Sequence, residues 1–183
     1  MKITQLIILL LVSCFLSCKY RTVKENITKM QSREIVFPDG VMRAVDHNRD
    51  TSLCIVGNNG HMKFVHYLDS IGCASCEVGE LYLWNDLIKE LGSKVDFVFI
   101  FAPASAHIKQ AINALKAYKS LHVVYIDESG VFGRLNTHIP QDFHYHSFLL
   151  DSTNRVTLVG NPTANEDVRK LLYEKVFNLQ SAR

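Results

Sequence analysis

The clearest pattern of apolar and polar positions spans Lys63 to Leu91. It begins with a short apolar run, rich in aromatic and β-branched residues, which predicts a strand: Phe64, Val65, Tyr67 and Leu68. Apolar residues then recur at spacings of three and four, which predicts a helix with one apolar face: Val78, Leu81, Trp84, Leu87, Ile88 and Leu91. Gly92 follows directly and is suited to end that helix.

The middle of the chain repeats this alternation of strand and helix. Val95–Ala102 is a continuous apolar run, typical of a central strand that is buried on both faces. A helical stripe follows from Ile108 to Tyr118, and Val123–Ile126 is the next strand candidate. A strand, a helix and a strand in this order predict a parallel pair with a right-handed crossover.

The C-terminal part predicts a different arrangement. After a possible short helix at Val131–His138, the apolar segments Ser147–Leu150 and Val156–Val159 flank a polar turn, which indicates an antiparallel hairpin. A last helical stripe runs from Val168 to Leu179. These elements together predict an α/β domain with a mixed central sheet flanked by helices.

The N-terminal part has weaker signals. Glu34–Phe37 is a short strand candidate, and Thr51–Val56 is a second one. The turn residues Gly57 to Gly60 predict that Thr51–Val56 pairs antiparallel with a strand over Met62–Asp69, which would add an N-terminal β-hairpin to the sheet. Cys54 is interpreted as a small buried apolar residue.

Length and charge limit the classes of protein to consider. The chain has 183 residues, of which 48% are hydrophobic, enough for one domain with a substantial core. The net charge is +2, and no basic stripe with interleaved aromatic residues is present, so nucleic-acid binding is not indicated.

The first residues are typical of a secretory signal that ends in cysteines. An apolar run from Leu6 to Val12 is too short to span a membrane comfortably, and it is followed by Cys14 and Cys18. Both cysteines follow a serine, as in bacterial lipoprotein processing sites, and we predict lipidation at Cys18 because polar sequence begins there. Lipidation at Cys14, a plain signal sequence and an uncleaved anchor are the alternatives.

The predicted organisation is therefore a signal peptide over residues 1–17, a lipidated tether over 18–33 and one domain over 34–183. The tether is polar and is expected to be solvated, with at most a weak helical turn. The domain is expected to face the periplasm from a bacterial membrane in the cell envelope, a compartment that permits disulfides.

Cys73 and Cys76 carry the candidate chemistry. Cys73 falls at or before the start of the predicted helix, where unpaired N–H groups and the helix dipole favour a thiolate. Cys76 follows three residues later and is close enough in sequence to attack a mixed disulfide on Cys73. The positions therefore predict that Cys73 attacks a partner's disulfide and that Cys76 resolves the intermediate.

With the strand before it and the helix after it, Gly72-Cys73-Ala74-Ser75-Cys76 resembles the active site of the thioredoxin-like superfamily. The element order from Ile35 to Leu179 is similar to that of the membrane-anchored TlpA-type branch. The resemblance implies a thioredoxin-like fold and a thiol-disulfide oxidoreductase that acts on protein thiols and disulfides of the cell envelope and needs no cofactor.

The chain departs from that family at several positions. Tyr145 aligns with the usual cis-proline, so a trans backbone is expected there. Tyr67 aligns with the strand position of a buried aspartate. Glu80, four residues after Cys76, is positioned to accept the Cys76 proton, although it could equally be a solvated glutamate in the first turn.

Two other classes of function stay open. One is a binding module of the same fold in which Cys73 and Cys76 form a permanent structural disulfide. The other is a metal-binding or metal-delivery protein in which these cysteines act with His144 and His146. No second Cys-X-X-Cys accompanies the first, so a metal site is not our leading interpretation.

Overall fold

A seven-stranded mixed β-sheet forms the centre of the protein. The structure is a computed structural model, and it describes residues 21–38, 42–45, 50–51, 60–69, 78–117 and 122–181. The strands are β1 (Arg43–Val45), β2 (Asp50–Thr51), β3 (Met62–Leu68), β4 (Val95–Phe101), β5 (Val124–Ile126), β6 (Ser147–Leu150) and β7 (Val156–Val159). Their spatial order is β2-β1-β5-β4-β3-β6-β7.

The parallel part of the sheet is formed by β3, β4 and β5. β4 lies between the other two, and its apolar run contributes side chains to the core on both faces, as the sequence predicted. β6 pairs antiparallel with β3 and β7 with β6, so the predicted C-terminal hairpin is confirmed at Ser147–Leu150 and Val156–Val159. Asp151 shapes its turn by accepting hydrogen bonds from the backbone N–H groups of Thr153 and Arg155.

Helices cover both faces of the sheet. They are α1 (residues 21–31), α2 (Asn85–Leu91), α3 (Ile108–Ala117), α4 (Val131–Leu135) and α5 (Glu166–Ser181). The predicted stripe after the cysteines is helical at residues 78–80, continues as the 3-10 turn Leu81–Trp84 and ends in α2. Gly92 ends α2, as predicted, and donates its N–H to the Ile88 carbonyl. None of the helices in the described parts of the chain is both long and apolar enough to cross a membrane.

Alternate residues of the strands enter two separate apolar clusters. On β3, Phe64 packs with Trp84, α2, α3 and α5 in one cluster, whereas Val65 and Tyr67 pack with α1 and α4 in the other. Because successive side chains of a strand point to opposite faces, these clusters lie on the two sides of the sheet. The mixed sheet flanked by helices confirms the predicted fold class.

The predicted pairing of the N-terminal hairpin is wrong. β1 and β2 do form an antiparallel hairpin, but Thr51 pairs with Ala44 at the far edge of the sheet and not with β3. The reason is that both edges of β3 are already occupied, one by β4 and the other by β6. Residues 52–59, which include Cys54 and all of the predicted turn except Gly60, lie outside the described residues.

The residues before the sheet also differ from expectation. The strand predicted at Glu34–Phe37 is reduced to a single bridge between Glu34 and Arg155. The segment predicted as a solvated tether with at most a weak turn is helical over residues 21–31, and its Met30 is fully buried. Ile27 and Met30, three residues apart on this helix, pack into the cluster that contains Phe132, which explains how such a polar segment contributes an apolar edge to the domain.

Candidate active site

A cleft of about 650 Å³ opens at the end of β3 and is the candidate active site. Cys73 and Cys76 lie within residues 70–77, which are outside the described part of the chain, as are Cys14 and Cys18. Asp69 precedes that segment and Glu80 follows it, and both line the cleft. The other walls come from β3, from the turn before β6 and from the loop between β7 and α5, and they include His66, Trp84, His144, His146, Ser147, Asn161 and Thr163.

Glu80 is an exposed residue at the junction between the helical residues 78–80 and the 3-10 turn. The structure brings it into the same cleft as His66 and the residues before β6. A carboxylate there can accept a proton from a group inside the cleft, which is the role that the spacing from Cys76 predicts for Glu80. Val78, two residues earlier, is buried in the core and anchors this end of the helix.

His66 is one of the titratable side chains that line the cleft. Its Nδ1 lies 2.7 Å from the hydroxyl oxygen of Ser147 on β6. Its ring centroid is 4.8 Å from that of Trp84 and 6.2 Å from that of Phe99. This apolar enclosure, with a smaller contribution from the charge of His146, lowers the pKa of His66 from its ordinary value to about 4, so the imidazole is neutral at neutral pH.

Tyr67 lies on the face of β3 opposite Trp84. Its ring packs against Phe132 and His146, at centroid distances of 5.1 and 5.2 Å, in the apolar cluster opposite Trp84. Burial, together with the carboxylates of Asp69 and Asp127, raises the pKa of Tyr67 to about 12. On β3, His66 is the titratable residue that contacts the segment following the cysteines, and sequence reasoning overlooked it. Once the structure shows that Phe64 contacts Trp84, the strand period of two places His66 on the same face.

The two histidines before β6 have separate partners. His144 is exposed, and its Nδ1 lies 2.6 Å from Asp142 Oδ1. His146 is buried and donates from Nε2 to the Pro140 carbonyl at 2.9 Å. Within the described ranges, no group of three His, Cys, Asp or Glu residues is arranged to hold a metal ion. The two cysteines of the hypothetical metal site lie outside those ranges.

Tyr145 ends the 3-10 turn Phe143–Tyr145, and His146 is the residue directly before β6. Across the parts of the chain that the structure describes, no peptide bond is cis. His146 accepts a hydrogen bond at its carbonyl from the Tyr67 N–H, which fixes this turn beside the end of β3. This turn therefore contributes Phe143, His144 and His146 to the lining of the cleft, whereas Tyr145 is buried in the apolar cluster opposite Trp84.

Comparisons with solved structures show which proteins share this architecture. No protein-family model and no curated protein sequence matches the chain. The solution structure of a thioredoxin-like protein in the oxidised form matches with a TM-score of 0.52 and 12% identity, over 78% of this chain and 96% of that chain. The thioredoxin domain of a thiol-disulfide oxidoreductase from Bacteroides vulgatus matches with a TM-score of 0.54 and 14% identity, over 80% and 97% of the two chains. The protein therefore has a thioredoxin-like fold.

Proposed function

We propose that the protein is a thiol-disulfide oxidoreductase that uses the Cys73-Ala74-Ser75-Cys76 dithiol. One observation carries this proposal: the residues on both sides of the cysteine segment, Asp69 and Glu80, line one cleft at the end of a parallel strand. Clefts at the carboxyl ends of parallel strands are the usual sites of ligands and chemistry in α/β sheets. The thioredoxin-like fold supports the same assignment, although fold alone does not establish activity.

The proposed reaction has two steps. The Cys73 thiolate attacks one sulfur of a partner's disulfide, forms a mixed disulfide and releases the other partner sulfur as a thiolate, which takes up a proton. Cys76 then loses its proton, attacks the Cys73 sulfur and expels the second partner thiolate. The partner is reduced by two electrons, and the Cys73–Cys76 disulfide carries the oxidation. We assign Glu80 as the acceptor of the Cys76 proton because it lines the cleft.

We further propose that the protein is anchored by a lipid on Cys18 and acts on protein thiols and disulfides of the cell envelope. The proposal is supported by the apolar run and the cysteines at the start of the chain. In cells, Cys18→Ala is expected to release the protein from the membrane fraction, and Cys14→Ala is the matched control that should leave it bound. Retention of the Cys18→Ala protein on membranes would contradict this anchor.

Single-cysteine variants test the redox proposal. We expect Cys73→Ser to lose all reduction of a disulfide substrate, whereas Cys76→Ser should accumulate a mixed disulfide that mass spectrometry detects. Cys54→Ser is the matched control, because Cys54 lies outside the motif, and it should keep normal turnover. Full turnover by Cys73→Ser would refute the assigned chemistry.

A non-catalytic binding module with a permanent Cys73–Cys76 disulfide is the second candidate. It is favoured by the turn before β6, where Tyr145 and His146 stand in place of proline. The two candidates differ in how easily that disulfide is reduced, since structural disulfides have reduction potentials below about −300 mV.

A further inference from the structure

The helix α1 directs its apolar side into the domain and its charged side away from it. Ile27 and Met30 pack into the cluster that contains Phe132, and Met30 is fully buried. With 3.6 residues per turn, Lys24 and Lys29 lie about 100° to 120° from Met30, on its two opposite flanks, and both are exposed. The charged side of α1 is therefore an outer surface on this face of the sheet.

Positive charge is concentrated in residues 21–33. The segment has four cations and one carboxylate, a net charge of +3, whereas the whole chain has a net charge of +2. The carboxylate, Glu25, pairs with Arg21 at 2.9 Å. Among the described residues, no carboxylate forms an ion pair with Lys24, Lys29 or Arg33. These three cations therefore keep their charge available to a partner outside the domain.

The charges of two of these cations also act on a buried histidine. His138 is only 4% exposed, and its pKa is lowered first by burial and then by the positive charges of Arg33 and Lys29. No described carboxylate is among the groups that shift this pKa, although a nearby carboxylate would raise it. The positive potential around α1 is therefore not cancelled by the part of the domain beneath it.

Anionic phospholipid headgroups have the charge that complements this surface. The apolar run from Leu6 to Val12 and the proposed lipidation site, Cys18, precede α1 by a few residues, so the helix follows the membrane-binding segment directly. A cation close to an anionic membrane surface strengthens binding about fivefold. Because Met30 fixes α1 to the domain, a helix that lies on the headgroups holds the whole domain in one orientation.

We propose that the exposed side of α1, with Lys24, Lys29 and Arg33, binds anionic phospholipid headgroups and turns this face of the sheet towards the membrane. The helices α2, α3 and α5, which pack on the opposite face, then point away from the bilayer. This inference rests on the proposed membrane anchor, which brings the segment to the bilayer, and not on the redox chemistry.

Partitioning of the full-length protein between buffer and vesicles tests this contact. Vesicles of phosphatidylcholine alone are compared with vesicles that also contain phosphatidylglycerol. The wild type should prefer the anionic vesicles, and the preference should fall as salt is added. Replacing Lys24, Lys29 and Arg33 by Gln together should reduce the preference by about a hundredfold, at about fivefold per cation.

The matched control removes the same charge from the opposite face of the sheet. It replaces three exposed lysines, one on each of α2, α3 and α5, and it should keep the wild-type preference: Lys89→Gln, Lys109→Gln and Lys170→Gln. An equal loss of preference in the two triple variants would show that net charge and not α1 determines binding, and would overturn the proposal.

Lysine acetylation on vesicle-bound wild type, followed at each site by mass spectrometry, gives a reading that needs no variant. Lys24 and Lys29 should react several-fold more slowly on anionic than on neutral vesicles, whereas Lys109 and Lys170 should react equally on both. Equal rates at all four lysines would overturn the contact. If Cys18→Ala stays on cell membranes while Lys24 and Lys29 are protected, the lipid anchor fails and the α1 contact stands.

Discussion

At the residue scale, the spacing of residues along the chain was easier to interpret than the face of a strand on which a side chain lies. The Cys-X-X-Cys spacing predicts Cys73 and Cys76 as the redox pair. The helical spacing of four residues from Cys76 predicts Glu80 as a proton acceptor, and Glu80 does line the cleft. His66 was missed because β3 is apolar on both faces over Phe64–Leu68, so the sequence alone does not show which neighbour faces the helix. Tyr67, which aligns with the buried aspartate of the family, packs against Phe132 and His146 on the face of β3 opposite Trp84.

The depressed pKa of His66 predicts a pH dependence of stability. The unfolded chain binds a proton at this histidine below about pH 6.5, whereas the folded protein binds it only below about 4. His66 therefore stabilises the fold fully above pH 6.5, and up to about 3 kcal/mol of that stability is lost as the pH falls from 6.5 to 4. Burial lowers the pKa of His122 and His138 as well, which adds to the same trend.

Urea unfolding between pH 7 and pH 4 measures this trend. His66→Phe should flatten the pH dependence of the unfolding free energy, because a phenyl ring does not titrate. An identical slope in wild type and His66→Phe would show that His66 is not held neutral by the fold.

At the element scale, long periodic segments were predictable and short ones were not. β4, the β6-β7 hairpin and the helix before Gly92 follow from local pattern because each supplies enough apolar positions to fix its own face. β1 and β2 have three and two residues, so their pairing depends on which sheet edge the rest of the fold leaves open. That information is not local, and the turn signal at Gly57–Gly60 pointed to the wrong partner strand.

The junction between β5 and α4 depends on Asp127, a buried carboxylate. Its Oδ1 accepts from the Val131 N–H at 2.9 Å and its Oδ2 from the Phe132 N–H at 2.7 Å, which satisfies the first turn of α4. Asp127→Ala leaves both N–H groups without an acceptor and should lower the unfolding free energy by about 2 kcal/mol or more.

Glu128 is the matched control for Asp127, since it is exposed and only 3.7 Å from Arg43 in a surface ion pair. Glu128→Ala should change the unfolding free energy by less than about 0.5 kcal/mol. Equal effects of the two substitutions in urea unfolding would contradict the capping role of Asp127.

At the scale of the whole molecule, the chain before the sheet is part of the folded unit. Met30 and Ile35 are buried in the cluster that contains Phe132 and Phe148. Asn136 holds the connecting segment, because it accepts from the Val36 N–H and donates to the Val36 carbonyl, both at 2.8 Å. A domain boundary at residue 34 therefore cuts through one apolar cluster.

Met30→Ala tests whether this helix stabilises the domain. We expect the unfolding free energy to fall by about 2 to 4 kcal/mol, as for other buried methionines. The neighbouring Gln31 is exposed, and Gln31→Ala should have little effect. If Met30→Ala unfolds at the wild-type urea concentration, α1 is not part of the stable domain.

The reduction potential of the Cys73/Cys76 couple distinguishes a redox-active dithiol from a permanent disulfide. Purified protein is equilibrated with redox buffers of stepped potential, and the free thiols are trapped by alkylation and counted by mass spectrometry. For a thiol-disulfide oxidoreductase we expect a reversible two-electron transition between about −120 and −270 mV, the range of catalytic thioredoxin-like proteins. A pair that stays oxidised below about −300 mV, or one that never forms a disulfide, would contradict it.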